Sequence, residues 1–159
     1  MTGKNSRVPQ PRRTGMLLAP AWSRRATRSS QDTGPSARVR RLVFARAFGF
    51  CESCGISVIG RPYSIRPRVE QGPGRTSRPE ASAVWNLVLL CGSAASPGGC
   101  HLLCERQDQD MHDRGMWLRS GESPRLVPVW LVNPEGPRIR AWLNGEGTYD
   151  LEAPVGVTA

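Results

Sequence analysis

The chain has 159 residues, a formal net charge of +9 and 38% hydrophobic residues, with 17 glycines and 14 prolines. This length predicts one domain plus tails, and so little apolar material predicts a core stapled by a metal or by disulfides. No stretch approaches the ~20 apolar residues of a membrane span, and the apolar run at 16–20 is too short for a secretory signal. We therefore expect no membrane segment and a cytoplasmic location.

The net charge is concentrated at the N-terminus. Ten basic residues precede Leu42 against one acid, Asp32, whereas twelve arginines meet twelve acids from Leu42 onward. Residues 1–35 are rich in Arg, Ser, Pro and Gly and predict a disordered basic arm. Such an arm is typical of attraction to a nucleic-acid backbone. A solvated leader and an organelle transit peptide remain alternative interpretations.

A helix is predicted from Ser36 or Ala37 to Ala47, with Gly49 ending it. Its arginines, including Arg46, are expected on the exposed surface. The apolar residues that share its other face have helical spacing: Val39, Leu42, Val43 and Ala47.

The helix leads into two groups of cysteines. Cys51 and Cys54 form a Cys-x-x-Cys pair, and after a gap of 36 residues come Cys91, Cys100 and Cys104. A reducing compartment and an odd number of cysteines favour a zinc site over a disulfide framework, which stays the alternative.

The segment between the two cysteine groups predicts a weak strand pair, 57–59 and 63–65, joined by a turn. Residues 66–83 are Pro-, Gly- and Arg-rich and predict a loop, and the apolar run 85–90 predicts a buried element. A second helix is expected to run from Cys100 to about Asp113.

The C-terminal segment predicts a β-hairpin from 127–132 and 139–143, followed by a turn at Asn144 and Gly145. The predicted organisation has three parts: an arm, a zinc-stapled domain, and a hairpin extension with a tail, at 1–35, 36–122 and 123–159.

Together these motifs resemble the HNH endonucleases, in particular the small zinc-bearing proteins of bacteriophages and actinobacteria. The resemblance covers roughly residues 36–130. It is carried by the helix entering Cys-x-x-Cys-Gly, by Trp-Asn-Leu-Val-Leu-Leu-Cys-Gly-Ser at 85–93 and by Gly-Cys-His at 99–101. It implies a small α+β protein with a ββα-metal core in a bacterial host cell. It also implies a structural zinc held by Cys51, Cys54, Cys91 and Cys100, with Cys104 as the alternative to Cys100.

The chemistry implied by the resemblance is phosphodiester hydrolysis of double-stranded DNA with Mg²⁺ or another divalent ion. Asn86 matches the residue that orients the general base, and His101 matches the histidine that binds the catalytic ion. Pro67 stands where the general base belongs, and Arg66 where its neighbouring ligand belongs. Neither side chain accepts a proton or binds a cation, so cleavage is expected to be weak or lost.

Other roles stay open for several residues. His101 is alternatively a zinc ligand or a helix cap, and Asn86 is alternatively a brace within a turn. Phosphate contacts are predicted for four arginines: Arg66, Arg68, Arg75 and Arg78. Fallback catalytic groups would be Glu70, Glu80 or His112. The alternative function is a non-catalytic DNA-binding or assembly module, for example in a phage packaging complex with a phage or host protein partner.

Overall fold

Residues 34–69, 79–133 and 136–154 are the parts of the chain that the computed structural model describes, and these three ranges form one compact unit. The predicted arm therefore lies almost wholly outside the described residues, as do Glu70, Arg75 and Arg78. Within these ranges the helices and strands are α1 (Ala37–Arg46), β1 (Tyr63–Pro67), β2 (Leu87–Cys91), α2 (Gly99–Glu105), α3 (Gln109–Asp113), β3 (Val129–Leu131), β4 (Ile139–Leu143) and β5 (Tyr149–Asp150).

Helix α1 confirms the first predicted helix. Ser36 caps it, because its hydroxyl accepts a hydrogen bond from the Val39 amide at 3.3 Å. Val43 is fully buried. Arg46 is also buried, at 5% exposure, so the expectation of an exposed Arg46 is wrong. Arg46 lies three residues after Val43, in the apolar stripe of the helix.

Strands β1 and β2 form an antiparallel hairpin in which Tyr63 pairs with Cys91 and Pro67 with Leu87. The predicted pairing of 57–59 with 63–65 is wrong: Ser57 makes only an isolated bridge, to Phe50. The four leucine and valine side chains at 87–90 are fully buried, which makes β2 the stronger partner for β1. The predicted buried run at 85–90 is thereby confirmed for these residues.

The second predicted helix is interrupted. Helix α2 ends at Glu105, Gln107 has a positive φ of 55°, and Asp108 caps α3 by accepting from the Met111 amide. A capping aspartate favours a new helix start over continuation, because its side chain satisfies an amide that the preceding turn leaves open. Helix α2 packs on β2 and against α3.

The C-terminal residues form a three-stranded antiparallel sheet in the order β3-β4-β5. The predicted hairpin is confirmed as β3 and β4, whereas β5 was not predicted. Val129, Ala141 and Leu143 belong to the same buried core as Val43 and β2, so the hairpin shares the core of the preceding residues. No helix in the described ranges has the length and apolar character needed to cross a membrane.

Candidate metal centre

Four cysteines converge from three parts of the fold. Cys51 and Cys54 lie in the turn after α1, Cys91 ends β2, and Cys100 lies in the first turn of α2. Their sulfur atoms all lie within 4.8 Å of one another. The sequence prediction of these four residues as a metal-binding set is thus confirmed in its geometry.

The spacing suits a tetrahedral ion. Bonds of about 2.3 Å to four sulfurs place those sulfurs roughly 3.8 Å apart, and Cys54 Sγ lies 3.7 Å from Cys91 Sγ. The Cys100 amide also points at Cys91 Sγ, at 3.4 Å, and an amide donor stabilises negative charge on a metal-bound sulfur. All five cysteines are free thiols, so the disulfide alternative is wrong.

Cys104 is buried on α2 but does not belong to the cluster. It follows Cys100 by one helical turn and belongs to the apolar core. The alternative in which Cys104 replaces Cys100 is therefore excluded by the geometry.

The thiols of the cluster influence one another. A hydrogen bond from the Cys100 thiol lowers the pKa of Cys51 to about 5, whereas burial raises the pKa of Cys54 to about 11. The pKa of Cys100 is raised far above that of an ordinary thiol, chiefly by the same bond to Cys51. Without a metal, therefore, Cys54 and Cys100 stay protonated at neutral pH, and an ion that binds all four sulfurs must displace those protons.

Glu52, between the first two cysteines, fastens this turn to the sheet. Its amide donates to the Leu89 carbonyl at 2.9 Å, and its carboxylate accepts from the Leu89 amide at 2.6 Å. The same buried carboxylate accepts from Arg46 Nε at 3.0 Å and from the Tyr149 hydroxyl at 2.6 Å. All of these partners of the carboxylate donate to it, and the Arg46 cation compensates its charge, so the turn is held at the edge of β2.

The sequence interpretation missed this network of Arg46, Glu52 and Tyr149. Its one local signal was Arg46, which shares the apolar face of α1. The contribution of Tyr149 had no local signal, because it lies 97 residues from Glu52.

His101 lies next to Cys100 on α2 and is 7% exposed. Its Nδ1 is 2.8 Å from the Ser64 hydroxyl of β1, and its Nε2 is 2.9 Å from Glu105 Oε1, without the alignment of a hydrogen bond. The two ring nitrogens thus face Ser64 and Glu105, and His101 does not belong to the cysteine cluster. The alternative in which His101 is a zinc ligand is therefore not supported. Among the described residues no second group of three or more His, Cys, Asp or Glu side chains comes together around it. Its role as ligand of a catalytic ion stays a prediction.

Arg66 and Pro67 lie at the end of β1. The Arg66 side chain is buried, at 6% exposure, and its Nη1 donates to the His101 carbonyl at 3.3 Å. Because almost none of this side chain is accessible from solvent, a phosphate cannot reach it, and the predicted phosphate contact by Arg66 is wrong. Pro67 offers no titratable group at the position where a general base is expected.

Asn86 is 2% exposed and joins the two chain segments that flank residues 70–78. Its Oδ1 accepts from the Val69 amide at 3.2 Å, and its Nδ2 lies 3.4 Å from the carbonyls of Glu80 and Ala81. Among the described residues, its side-chain hydrogen bonds go to backbone atoms, as the turn-bracing interpretation expects. Its predicted orientation of a general base stays a prediction.

Arg68 is 0% exposed, and its predicted contact with phosphate is wrong. The guanidinium donates to four backbone carbonyls at 2.5 to 3.2 Å, those of Gly115, Pro124, Val127 and Pro128. Burial lowers its pKa to about 9, which leaves it protonated at neutral pH. Arg68 is a structural clamp between β1 and the segment that leads into β3.

His112, the fallback catalytic residue, lies on α3 and is engaged away from the cysteines. Its Nε2 lies 3.1 Å from Glu122 Oε2, and its ring packs on Trp117 with centroids 4.9 Å apart. The exposed Glu80 bonds through its backbone carbonyl to Asn86.

Comparisons with family models, with curated proteins and with solved structures gave no match.

Proposed function

We propose that the four cysteines hold one structural Zn²⁺ ion. Four thiolates in a closed tetrahedral set are typical of structural zinc, and no position is left for a substrate. The ion would link the turn after α1, the end of β2 and the start of α2, and its chemistry there would be purely structural.

Zinc uptake should depend steeply on pH. Because the pKa values of Cys54 and Cys100 lie above neutrality, binding displaces at least two protons, and affinity should rise roughly 100-fold per pH unit between pH 6 and 8. Competition with a chromophoric chelator, corrected for the chelator's own protonation, measures this slope. The Cys104→Ser variant should keep the slope of the natural chain, and a pH-independent affinity would contradict the proposed thiolate set.

We further infer that the folded unit is an HNH-type nucleic-acid-binding protein whose phosphodiester cleavage is weak or lost. What supports the type is the order of elements: a cysteine turn, the β1–β2 hairpin and α2, with His101 of α2 facing Ser64 of β1. What supports the loss of cleavage is one observation. The buried Arg66 cation lies against the backbone of His101, and Pro67 stands beside it.

Plasmid nicking with Mg²⁺ or Mn²⁺ tests this proposal. The natural chain should retard DNA in a gel without nicking it above background, and His101→Ala should behave identically, because loss of a general base alone slows hydrolysis about 10²- to 10⁴-fold. The double variant Arg66→His/Pro67→His tests whether the missing groups suffice to restore cutting.

Two outcomes would contradict the proposal in different ways. Metal-dependent nicking by the natural chain that disappears in His101→Ala would show that catalysis survives. Failure to retard DNA even at low salt, where phosphate attraction is strongest, would remove the nucleic-acid assignment itself.

A further inference from the structure

An open groove of about 860 Å³ lies between α1 and β1. Arg40, Arg41 and Phe44 line it from the helix, and Tyr63 and Ser64 from the strand. The Ser64 hydroxyl also lies 2.8 Å from His101 Nδ1, so one wall of the groove is in contact with His101.

The described residues that line the groove include two cations and no acid. Arg40 Nε donates to the Pro35 carbonyl at 2.8 Å, which fixes the direction of that side chain. Arg41 is exposed and forms no ion pair with any other described residue. At Arg41 the groove therefore presents a positive charge that no described residue compensates, which suits an anionic ligand.

Aromatic rings lie beside these cations. Tyr63 is 45% exposed, and its ring centroid lies 5.6 Å from that of Phe44, with the planes tilted by 56°. A tilted pair leaves part of each ring face open to a third flat group. Exposed aromatic faces next to arginines are the elements on which successive bases of an unpaired strand stack.

We propose that this groove binds a segment of single-stranded nucleic acid, with a base stacked on Tyr63 and a backbone phosphate at Arg41. The proposal rests on the proposed nucleic-acid function and names its ligand more narrowly. A base inside a duplex is already covered on both faces, so only an unpaired or extruded base can reach the ring.

An acidic peptide would satisfy Arg41 but would leave the Tyr63 and Phe44 faces unused. Aromatic stacking contributes through the flat face of a base, whichever base it is. The combination of charge and open rings therefore favours a nucleotide strand over a carboxylate-rich chain.

The test measures binding of a fluorescent oligo-dT of about 20 nucleotides to the zinc-loaded full chain. The salt concentration is about 0.2 M, at which the electrostatic attraction to phosphates is weakened. Tyr63→Leu should lower the affinity about 5- to 50-fold. Arg41→Gln should make the slope of log affinity against log salt shallower by about 0.7. Matched controls are Trp130→Leu, an exposed aromatic on β3, and Arg140→Gln, an exposed arginine on β4, which should both bind like the natural chain.

A second measurement needs no substitution. An oligonucleotide that carries 5-iodouracil should crosslink under ultraviolet light to Tyr63 or Phe44 in the natural chain. Zinc content and thermal midpoint, measured for each variant, show whether a binding loss reflects unfolding, and crosslinks found only outside the groove would overturn the proposal.

The remaining outcomes separate the two proposals. If the natural chain binds neither single-stranded nor duplex DNA, the proposed function fails. If it binds oligo-dT but Tyr63→Leu matches the controls, the groove assignment is overturned while the nucleic-acid function stands. Competition by polyglutamate as strong as by unlabelled oligo-dT would equally overturn it, because a surface of charge alone would then account for binding.

Discussion

Replacing Cys100 with serine is expected to abolish stoichiometric metal binding and to unfold the chain at ordinary temperature. Structural zinc contributes an apparent ~10–16 kcal/mol to small zinc domains, which matches or exceeds the ~5–15 kcal/mol net stability of a typical fold. Metal analysis of freshly purified, reduced protein should fall from about one zinc per chain to well below half, and circular dichroism should lose its cooperative thermal transition.

Cys104→Ser is the matched control. It removes a sulfur from the same helix, at 2% exposure against 6% for Cys100, but outside the cluster. This variant should keep its zinc and lose only the modest stability that follows from placing a hydroxyl in an apolar core. Equal zinc loss in both variants would contradict the assigned ligand set, and zinc retention by Cys100→Ser would restore Cys104 as a ligand.

Arg68→Met is expected to lower the free energy of unfolding by about 3–5 kcal/mol in the zinc-saturated protein. The substitution keeps much of the buried volume but removes the side-chain donor to four carbonyls that lie between α3 and β3. Each buried acceptor that loses its partner costs about 1–3 kcal/mol, and partial rearrangement reduces the sum. Urea denaturation at constant free zinc measures the change.

The control for this prediction is Arg140→Met, which removes the same charge from the exposed surface of β4. Arg140 lies 5.1 Å from the centroid of the Trp142 ring, and losing this contact should lower stability by no more than about 1 kcal/mol. The comparison also separates two roles for Arg68. If Arg68 bound phosphate, replacing it would weaken DNA affinity and leave the unfolding midpoint unchanged. If Arg68 is a structural clamp, replacing it should lower the unfolding midpoint. An unfolding midpoint of Arg68→Met equal to that of Arg140→Met would contradict the clamp.

The metal site was predictable because its information is local and chemically narrow. A Cys-x-x-Cys turn and three later cysteines restrict the ligand choice to few combinations, and only the choice between Cys100 and Cys104 needed coordinates. Helix α1 and the C-terminal hairpin were predictable for a similar reason, since apolar periodicity and turn residues mark both.

The arginines were not predictable in this way. Arginine is usually exposed, and a prior based on residue type therefore places Arg46, Arg66 and Arg68 in solvent. All three are buried, because distant carbonyls or a carboxylate happen to meet their donors. Glu52 follows Arg46 by only six residues, but the carbonyl partners lie at least 35 residues from their arginines, and no local pattern encodes such an encounter.

The pairing of β1 was missed because the competing partner at 57–59 was adjacent in sequence. Strands adjacent in sequence usually pair. However, β2 has four fully buried side chains, whereas the segment 57–59 has one, that of Val58. Pairing with β2 buries the larger apolar area, and this gain outweighs the longer loop that the pairing requires. The entropic cost of closing a loop rises only slowly with its length.

The hydrogen bond from Tyr149 to Glu52 has a consequence for the order of events during synthesis. The cysteine turn leaves the ribosome long before β5 does, so a growing chain presents the Glu52 carboxylate without its phenol partner. All four cysteines of the cluster precede β5, but the hydrogen bond from Tyr149 to that carboxylate forms only after β5 has emerged. Native closure of this region is therefore a late step of translation, and a chain that stops before Tyr149 leaves Glu52 without that partner.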